Sequence, residues 1–181
     1  QIQGFFNIPG DALTAFYLLS DYVASKKISD LTVVSADLGF AKQARNWGER
    51  LGVPVALVEK RRVDNKERPQ ALSIIGNVEG QNVLLVDDEV NTGGSVVNAV
   101  QVLRDNGAKD IYLAFSHGFF TPKTIDRFQA LNLKEIILTN TIAQPKEFQL
   151  SNMTVLSVGP MLAEVIKRAH QGRSVGELFD E

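Results

Sequence analysis

The sequence predicts an α/β protein with a mainly parallel central sheet, helices on both faces and a small antiparallel hairpin beside it. Three observations carry this. Short apolar runs rich in β-branched residues recur along the chain, sets of apolar residues at helical spacing stand between them, and the runs lack the polar alternation of half-exposed strands. Strands that alternate with helices form parallel sheets covered on both sides. In such sheets ligands sit beyond the carboxyl ends of the strands.

Taken in order, the first helical set is Ala12, Ala15, Phe16, Leu19 and Val23. The run Leu31 to Val34 reads as a strand, followed by Phe40, Ala44, Trp47 and Leu51, with Gly52 as the helix stop. Pro54 to Val58 is the next strand. Gly76, Asn77, Glu79 and Gly80 give a turn signal, which predicts an antiparallel hairpin over Ile74 to Val86. Val83 to Val86 is a strand, and Val96, Ala99, Val100 and Leu103 mark the helix after it, to Asn106. Ile111 to Phe115, Ile136 to Leu138 and Thr154 to Val158 are further strands, and Met161, Leu162, Val165, Ile166 and Ala169 before Gly172 form the last helix. Phe5, Phe6, Phe16 and Trp47 read as core or interface packing.

With 181 residues, 44% of them hydrophobic, the chain supports one domain over residues 1–181. A formal net charge of −2 gives no general attraction to nucleic acid or to an anionic membrane. The absence of cysteine excludes disulfides, thiolate metal sites and a cysteine nucleophile. No apolar run approaches the roughly 20 residues of a membrane span, so a cytoplasmic protein is expected.

The chemistry concentrates in VLLVDDEVNTGGS, residues 83–95. Placed between a strand and a helix, Asp87 to Ser95 reads as a loop at the ligand edge. Gly93 and Gly94 permit unusual backbone angles and close approach, and Thr92 or Ser95 supplies a hydroxyl that can cap the helix. Backbone N–H groups at a helix start form a phosphate cradle. The adjacent carboxylates Asp87 and Asp88, with Glu89 beyond, repel phosphate but accept hydrogen bonds from sugar hydroxyls and bind hard cations such as Mg2+. A phosphorylated sugar satisfies both halves. The pattern is neither a Walker loop nor a dinucleotide fingerprint, since the GKS or GKT ending and GxGxxG are both missing.

This loop resembles the phosphoribosyl-binding loop of type I phosphoribosyltransferases. The neighbouring stretches QIQGFFNIP, VVSADLGFAKQAR, LGVPVALVEKRR, IIGNVEGQNVLLVDDEVNTGGS, GAKDIYLAFSHGFF, ILTNTIAQP and LSVGPMLAEVIKRAHQGRSVGELF narrow the resemblance to the ribose-phosphate pyrophosphokinases. The resemblance implies transfer of the terminal pyrophosphoryl group of ATP to the 1-hydroxyl of ribose 5-phosphate, with Mg2+, by a homo-oligomer. It implies that Asp87 and Asp88 hold the ribose hydroxyls or their metal, and that Asn91, Thr92, Gly93, Gly94 and Ser95 bind the substrate, its 5-phosphate above all. Asp37, which alone would read as a helix cap before Phe40, is implied as a metal or ribose contact. Lys60, Arg61 and Arg62 open a charged segment that alone would read as a solvated loop; the resemblance makes it a catalytic flap in which Lys60 and Arg62 stabilise charge on the transferring phosphates. His117, alone a structural hydrogen-bonding residue, resembles a ligand-edge position, and Thr139 and Thr141 stand in a stretch implied to line the ribose phosphate.

Asn91, Asn140 and Asn7 stand where the resemblance leads one to expect aspartate, as the family usually has it. Asparagine keeps an acceptor oxygen and loses a charge, which weakens metal affinity more than hydroxyl binding. The resemblance further implies a second, similar half ahead of Gln1 that supplies the ATP site, so the chain is expected to be a C-terminal half that binds ribose 5-phosphate and reaches ATP mainly through the missing half. Two alternatives stay open: a phosphoribosyltransferase that consumes phosphoribosyl pyrophosphate, and a non-catalytic regulatory or associated subunit.

Overall fold

A computed structural model of the protein describes residues 2–8, 10–61 and 71–178. Its strands are β1 (Leu31–Ser35), β2 (Val55–Arg61), β3 (Ala71–Ile75), β4 (Asn82–Val90), β5 (Ile111–Gly118), β6 (Glu135–Thr139) and β7 (Met153–Leu156). The helices are α1 (Phe16–Ser25), α2 (Ala41–Leu51), α3 (Gly94–Asp105), α4 (Pro122–Ala130) and α5 (Gly159–His170). The strands form one sheet in the order β3-β2-β1-β4-β5-β6-β7, parallel throughout except where β3 runs antiparallel to β2.

Burial explains why these runs become central strands. All five residues of β1 are buried, and Val83, Leu84, Leu85 and Val86 of β4 are fully enclosed. Fully burying a side chain of this size contributes about 1.5–3 kcal/mol, so the run is stable only between two covered faces. One face carries Leu19 and Val23 of α1 with Ala44 and Trp47 of α2, against Val33, Leu84 and Val86. The other carries Val96, Ala99, Val100 and Leu103 of α3 with Phe128 of α4, against Leu85, Leu113 and Phe115. Phe16 meets Trp47 edge to face at 5.4 Å, and Phe120 bridges Phe115 and Phe128 at 6.0 and 5.7 Å.

Several expectations are corrected. The hairpin exists, but β3 pairs with β2 and not with β4, whose neighbours are β1 and β5 in parallel. The turn signal is sound, with Gly76 and Gly80 at φ 108° and 67°, yet it joins an edge strand to a central one. α4 was not expected, and α1 starts at Phe16, not near Ala12. Val158 lies outside β7 and is the N-cap of α5, a helix with no buried residue that leaves Leu162 and Ile166 exposed. Phe5 and Phe6 are exposed and, among the described residues, pack into neither core cluster, which overturns the core half of the core-or-interface expectation for these two.

Candidate functional site: a two-part hollow at the carboxyl ends of the strands

β4 continues past its apolar run. Its pairing with β5 extends through Asp87↔Phe115, Glu89↔His117 and Val90↔Gly118, and the Phe119 N–H donates to the Val90 carbonyl at 2.8 Å. Asp87, Asp88 and Glu89 therefore stand on a strand, which corrects the loop expected from residue 87 onward. Only Asn91 to Gly93 separate β4 from α3. A sheet position holds a side chain more firmly than a loop, so the acids are preset.

The turn is made by Gly93, the N-cap of α3 in the left-handed region at φ 70°. A Cβ there would lie 3.1 Å from the Phe128 ring, so both backbone angle and packing require glycine. Neither Thr92 nor Ser95 caps α3, since no side chain among the described residues hydrogen-bonds at that cap. The first-turn amides of α3 thus have no side-chain cap, and the Thr92 and Ser95 hydroxyls are exposed beside them. They surround a hollow of about 190 Å3 lined by Asp87, Glu89, Asn91, Thr92, Gly93, Gly94 and Ser95 together with Val90 and Val96.

A second hollow of about 790 Å3 opens toward α1 and α2, where Phe16, Tyr17, Phe40 and Trp47 face Asp87, Asp88 and Ser116. Asp87 lines both hollows, Asp88 only the larger and Glu89 only the smaller. The two neighbouring acids thus look in different directions, as alternation along a strand requires.

Burial pushes the Asp87 carboxyl up to about 7; the Asp88 N–H, donating at 2.9 Å, works against this, and the Asp88 and Asp37 carboxylates add to it. Asp37 is the cap that its position alone suggested, accepting from the Phe40 N–H at 3.1 Å, and its field still reaches Asp87. Paired hard oxygen donors fit Mg2+. Among the described residues, however, no three His, Cys, Asp or Glu gather as a metal site, so the protein would supply only part of a coordination shell.

Lys60 sits near the end of β2 opposite Leu72, at the same edge of the sheet as Asp87. Arg62 and the polar segment after it lie outside the described residues. His117 is exposed at the end of β5, with Nδ1 2.8 Å from Thr141 Oγ1. Thr139 is buried and donates to the Ser116 carbonyl at 2.8 Å, so its hydroxyl serves the fold. Asn91 is exposed at the lip of the smaller hollow, while Asn140 Oδ1 accepts from the Val158 N–H at 2.9 Å.

Sequence reasoning missed the residues beneath the turn. Thr124 Oγ1 donates to the Asn91 carbonyl at 2.8 Å and Arg127 Nη1 donates to the Thr92 carbonyl. The available signal was Thr121-Pro122, a helix start whose cap is closed by a capping box with Thr124.

A seven-stranded, mostly parallel sheet with a tight glycine turn after its central strand defines the class: a phosphoribosyltransferase-like α/β domain. An APRTase from Giardia lamblia, solved with 9-deazaadenine, shares the fold at a TM-score of 0.50 and 14% identity, over 79% of this chain and 78% of that one. The chain belongs to the family described as the phosphoribosyl synthetase-associated domain, which matches residues 61–180. It is 39% identical over 180 residues to a ribose-phosphate pyrophosphokinase of Bacillus caldolyticus, covering 99% of this chain and 57% of that protein. It also aligns with the crystal structure of phosphoribosylpyrophosphate synthetase from Mycobacterium smegmatis at a TM-score of 0.86 and 35% identity, over 95% of this chain and 56% of that one. The chain thus spans little more than half the length of these relatives.

Proposed function

We propose that this chain is the ribose 5-phosphate-binding part of a ribose-phosphate pyrophosphokinase, which transfers pyrophosphate from ATP to the sugar 1-hydroxyl and releases AMP. The observation that carries the reading is the position of Asp87, shared between an amide-lined hollow sized for phosphate and a larger hollow with room for the sugar and more. In this reading Gly93, Gly94 and Ser95 offer backbone N–H groups to the 5-phosphate, and Thr92 and Ser95 add hydroxyls. Asn91 offers an amide at the lip. Asp87 and Asp88 accept hydrogen bonds from the ribose hydroxyls, which aligns the 1-hydroxyl oxygen for attack on the β-phosphorus of ATP; the bond from that phosphorus to the oxygen of AMP breaks and the hydroxyl proton passes to water.

Mg2+, when bound, would supply positive charge that neutralises the phosphates and polarises the oxygens it meets. Asp87 and Asp88 would hold it, with Asp37 nearby, and ligand oxygens would complete its shell. The raised Asp87 carboxyl supports this, because an acid crowded by burial and like charge gains most from a cation. Lys60 and Arg62, on and just beyond β2, serve as cations for the charge that builds on the transferring phosphates. ATP reaches this site mainly through the part of the relatives that this chain does not span, in a homo-oligomer.

Calorimetry of the chain with ribose 5-phosphate and Mg2+ tests the binding claim: heat is expected, and it should vanish in an Asp87→Asn, Asp88→Asn double variant. Absence of heat in the parent chain would refute the reading. In a longer protein containing this chain, AMP should form from ATP and ribose 5-phosphate. Product formation from phosphoribosyl pyrophosphate and a free base would instead identify a phosphoribosyltransferase.

A further inference from the structure

The smaller hollow presents an electrostatic difficulty. Its lining contains two carboxylates, Asp87 and Glu89, and no Lys, Arg or His among the described residues. A phosphate dianion placed there faces repulsion from both carboxylates, and the hollow's own lining offers only amides and hydroxyls against it. The nearby cation is Arg127, one turn from the C-terminus of α4, with Nη1 on the Thr92 carbonyl and 3.9 Å from the position a Cβ on Gly94 would take.

The same helix turns two successive peptides. Thr124 holds the Asn91 carbonyl and Arg127 the Thr92 carbonyl, so both carbonyls face α4. In a trans peptide the N–H points opposite to the C=O, and no cis peptide occurs among the described residues. The N–H groups of Thr92 and Gly93 therefore face away from α4. Successive amides turned to one side, closed by a left-handed residue such as Gly93, form an anion-binding nest.

We propose that Arg127, with Thr124, is a positioning residue for the phosphate of the ligand. It fixes the Thr92 peptide so that the Gly93 N–H serves the anion, and its charge offsets Asp87 and Glu89. The inference rests on the phosphate reading of the hollow. Arg127 is half-buried and carries five donors in a planar fork, of which the Thr92 carbonyl takes one, so the guanidinium can hold the carbonyl and keep its charge beside the hollow.

The test follows the amide resonances of Thr92 to Ser95 in 15N-labelled chain as inorganic phosphate or ribose 5-phosphate is added, for the parent, Arg127→Gln and Arg127→Lys. In the parent both ligands should move these resonances. Arg127→Gln should raise the half-saturating ribose 5-phosphate concentration at least about tenfold with the melting temperature little changed, and Arg127→Lys, which keeps the charge and one donor, should recover most of that loss. Equal half-saturation in the parent and the Gln variant overturns the inference and leaves the phosphate reading standing, as does a Lys variant as weak as the Gln variant. No movement of the parent resonances with either ligand overturns both. If the Gln variant does not fold, Arg127→Met, which keeps the aliphatic stem, takes its place under the same criteria.

Discussion

The two ends of the sheet treat half-buried carboxylates in opposite ways. At the amino end of β6, Glu135 accepts hydrogen bonds from Tyr22 and Thr154, each at 2.7 Å, and pairs with Lys26 at 2.8 Å. Burial works against the charge of Glu135, but those partners outweigh it and hold its carboxyl below the ordinary range, while Lys26 is raised by the same pairing. At the carboxyl end of β4, Asp87 is pushed up to about 7 by burial and crowded by Asp88 and Asp37. One end is balanced internally, as a structural carboxylate should be. The other carries a charge imbalance that a ligand or cation would relieve, which is the pattern of a binding site.

The most severe way to break the ligand end is Gly93→Ala. A left-handed backbone costs an L-residue about 1–2 kcal/mol, and the 3.1 Å approach to Phe128 adds overpacking of about 1–3 kcal/mol. Urea unfolding should register a loss of roughly 2–5 kcal/mol, with ribose 5-phosphate heat abolished. Retained stability would mean that the turn relaxes and does not depend on glycine.

The contrast between the two ends also marks what was legible in the sequence. VLLVDDEVNTGGS announced both the acids and the turn, because residue types and order carry that signal locally. The strand positions of Asp87 to Glu89 were not legible, since they depend on β5 continuing to Gly118 alongside. Nor was the partner of β3: the Gly76–Gly80 turn is local, whereas pairing Leu57 with Ile75 is not. α4 was missed because it buries little more than Thr124, Ile125 and Phe128, an apolar set too sparse to stand out. The Glu135 network escaped notice as well, because its members are 113 and 19 residues from Glu135 in sequence.

A smaller break is expected at the balanced end. Glu135→Gln leaves Lys26 without its anion and should destabilise the chain by about 1–2 kcal/mol at neutral pH, since Lys26 is partly solvated. The sign with pH is fixed by the lowered carboxyl: its stabilisation is present above the unfolded value near 4.5 and is lost as pH falls through the folded value. The variant and parent should therefore converge in melting temperature as pH falls from 4.5 through the lowered folded value, with ribose 5-phosphate binding unaffected at pH 7. A variant that weakened binding would show that the two ends are coupled.

Asp87→Asn sharpens the contrast by moving stability the other way. A carboxyl whose folded value of about 7 lies above its unfolded 3.8 binds its proton more tightly in the native state, so it destabilises the fold progressively as pH rises between those values. Without metal, the Asp87→Asn variant should gain about 1–2 kcal/mol at pH 8, after discounting for partial exposure, and nothing at pH 3. Binding of ribose 5-phosphate with Mg2+ should weaken in the same variant. A gain in stability with a loss of binding is the signature of a site; loss of both would make Asp87 structural.

The smallest expected effect concerns Asn140, a position where the sequence resemblance leads one to expect aspartate. Its Oδ1 accepts from the N–H of Val158, the N-cap of α5, while its Nδ2 reaches Ser157 Oγ at a long 3.4 Å. The acceptor role survives Asn140→Asp, and the weak donor contact is lost. A carboxylate beside a helix start gains about 0.3–1 kcal/mol from the helix dipole, more than the 3.4 Å contact contributes. Asn140→Asp should therefore raise the melting temperature slightly at pH 7 and lose the gain on acidification below about pH 4. A lowered melting temperature would show that the Ser157 contact matters more than its length suggests. A gain, by contrast, would mean that asparagine here is not required by the fold, so any effect of restoring aspartate on ribose 5-phosphate or Mg2+ binding would report on the site alone.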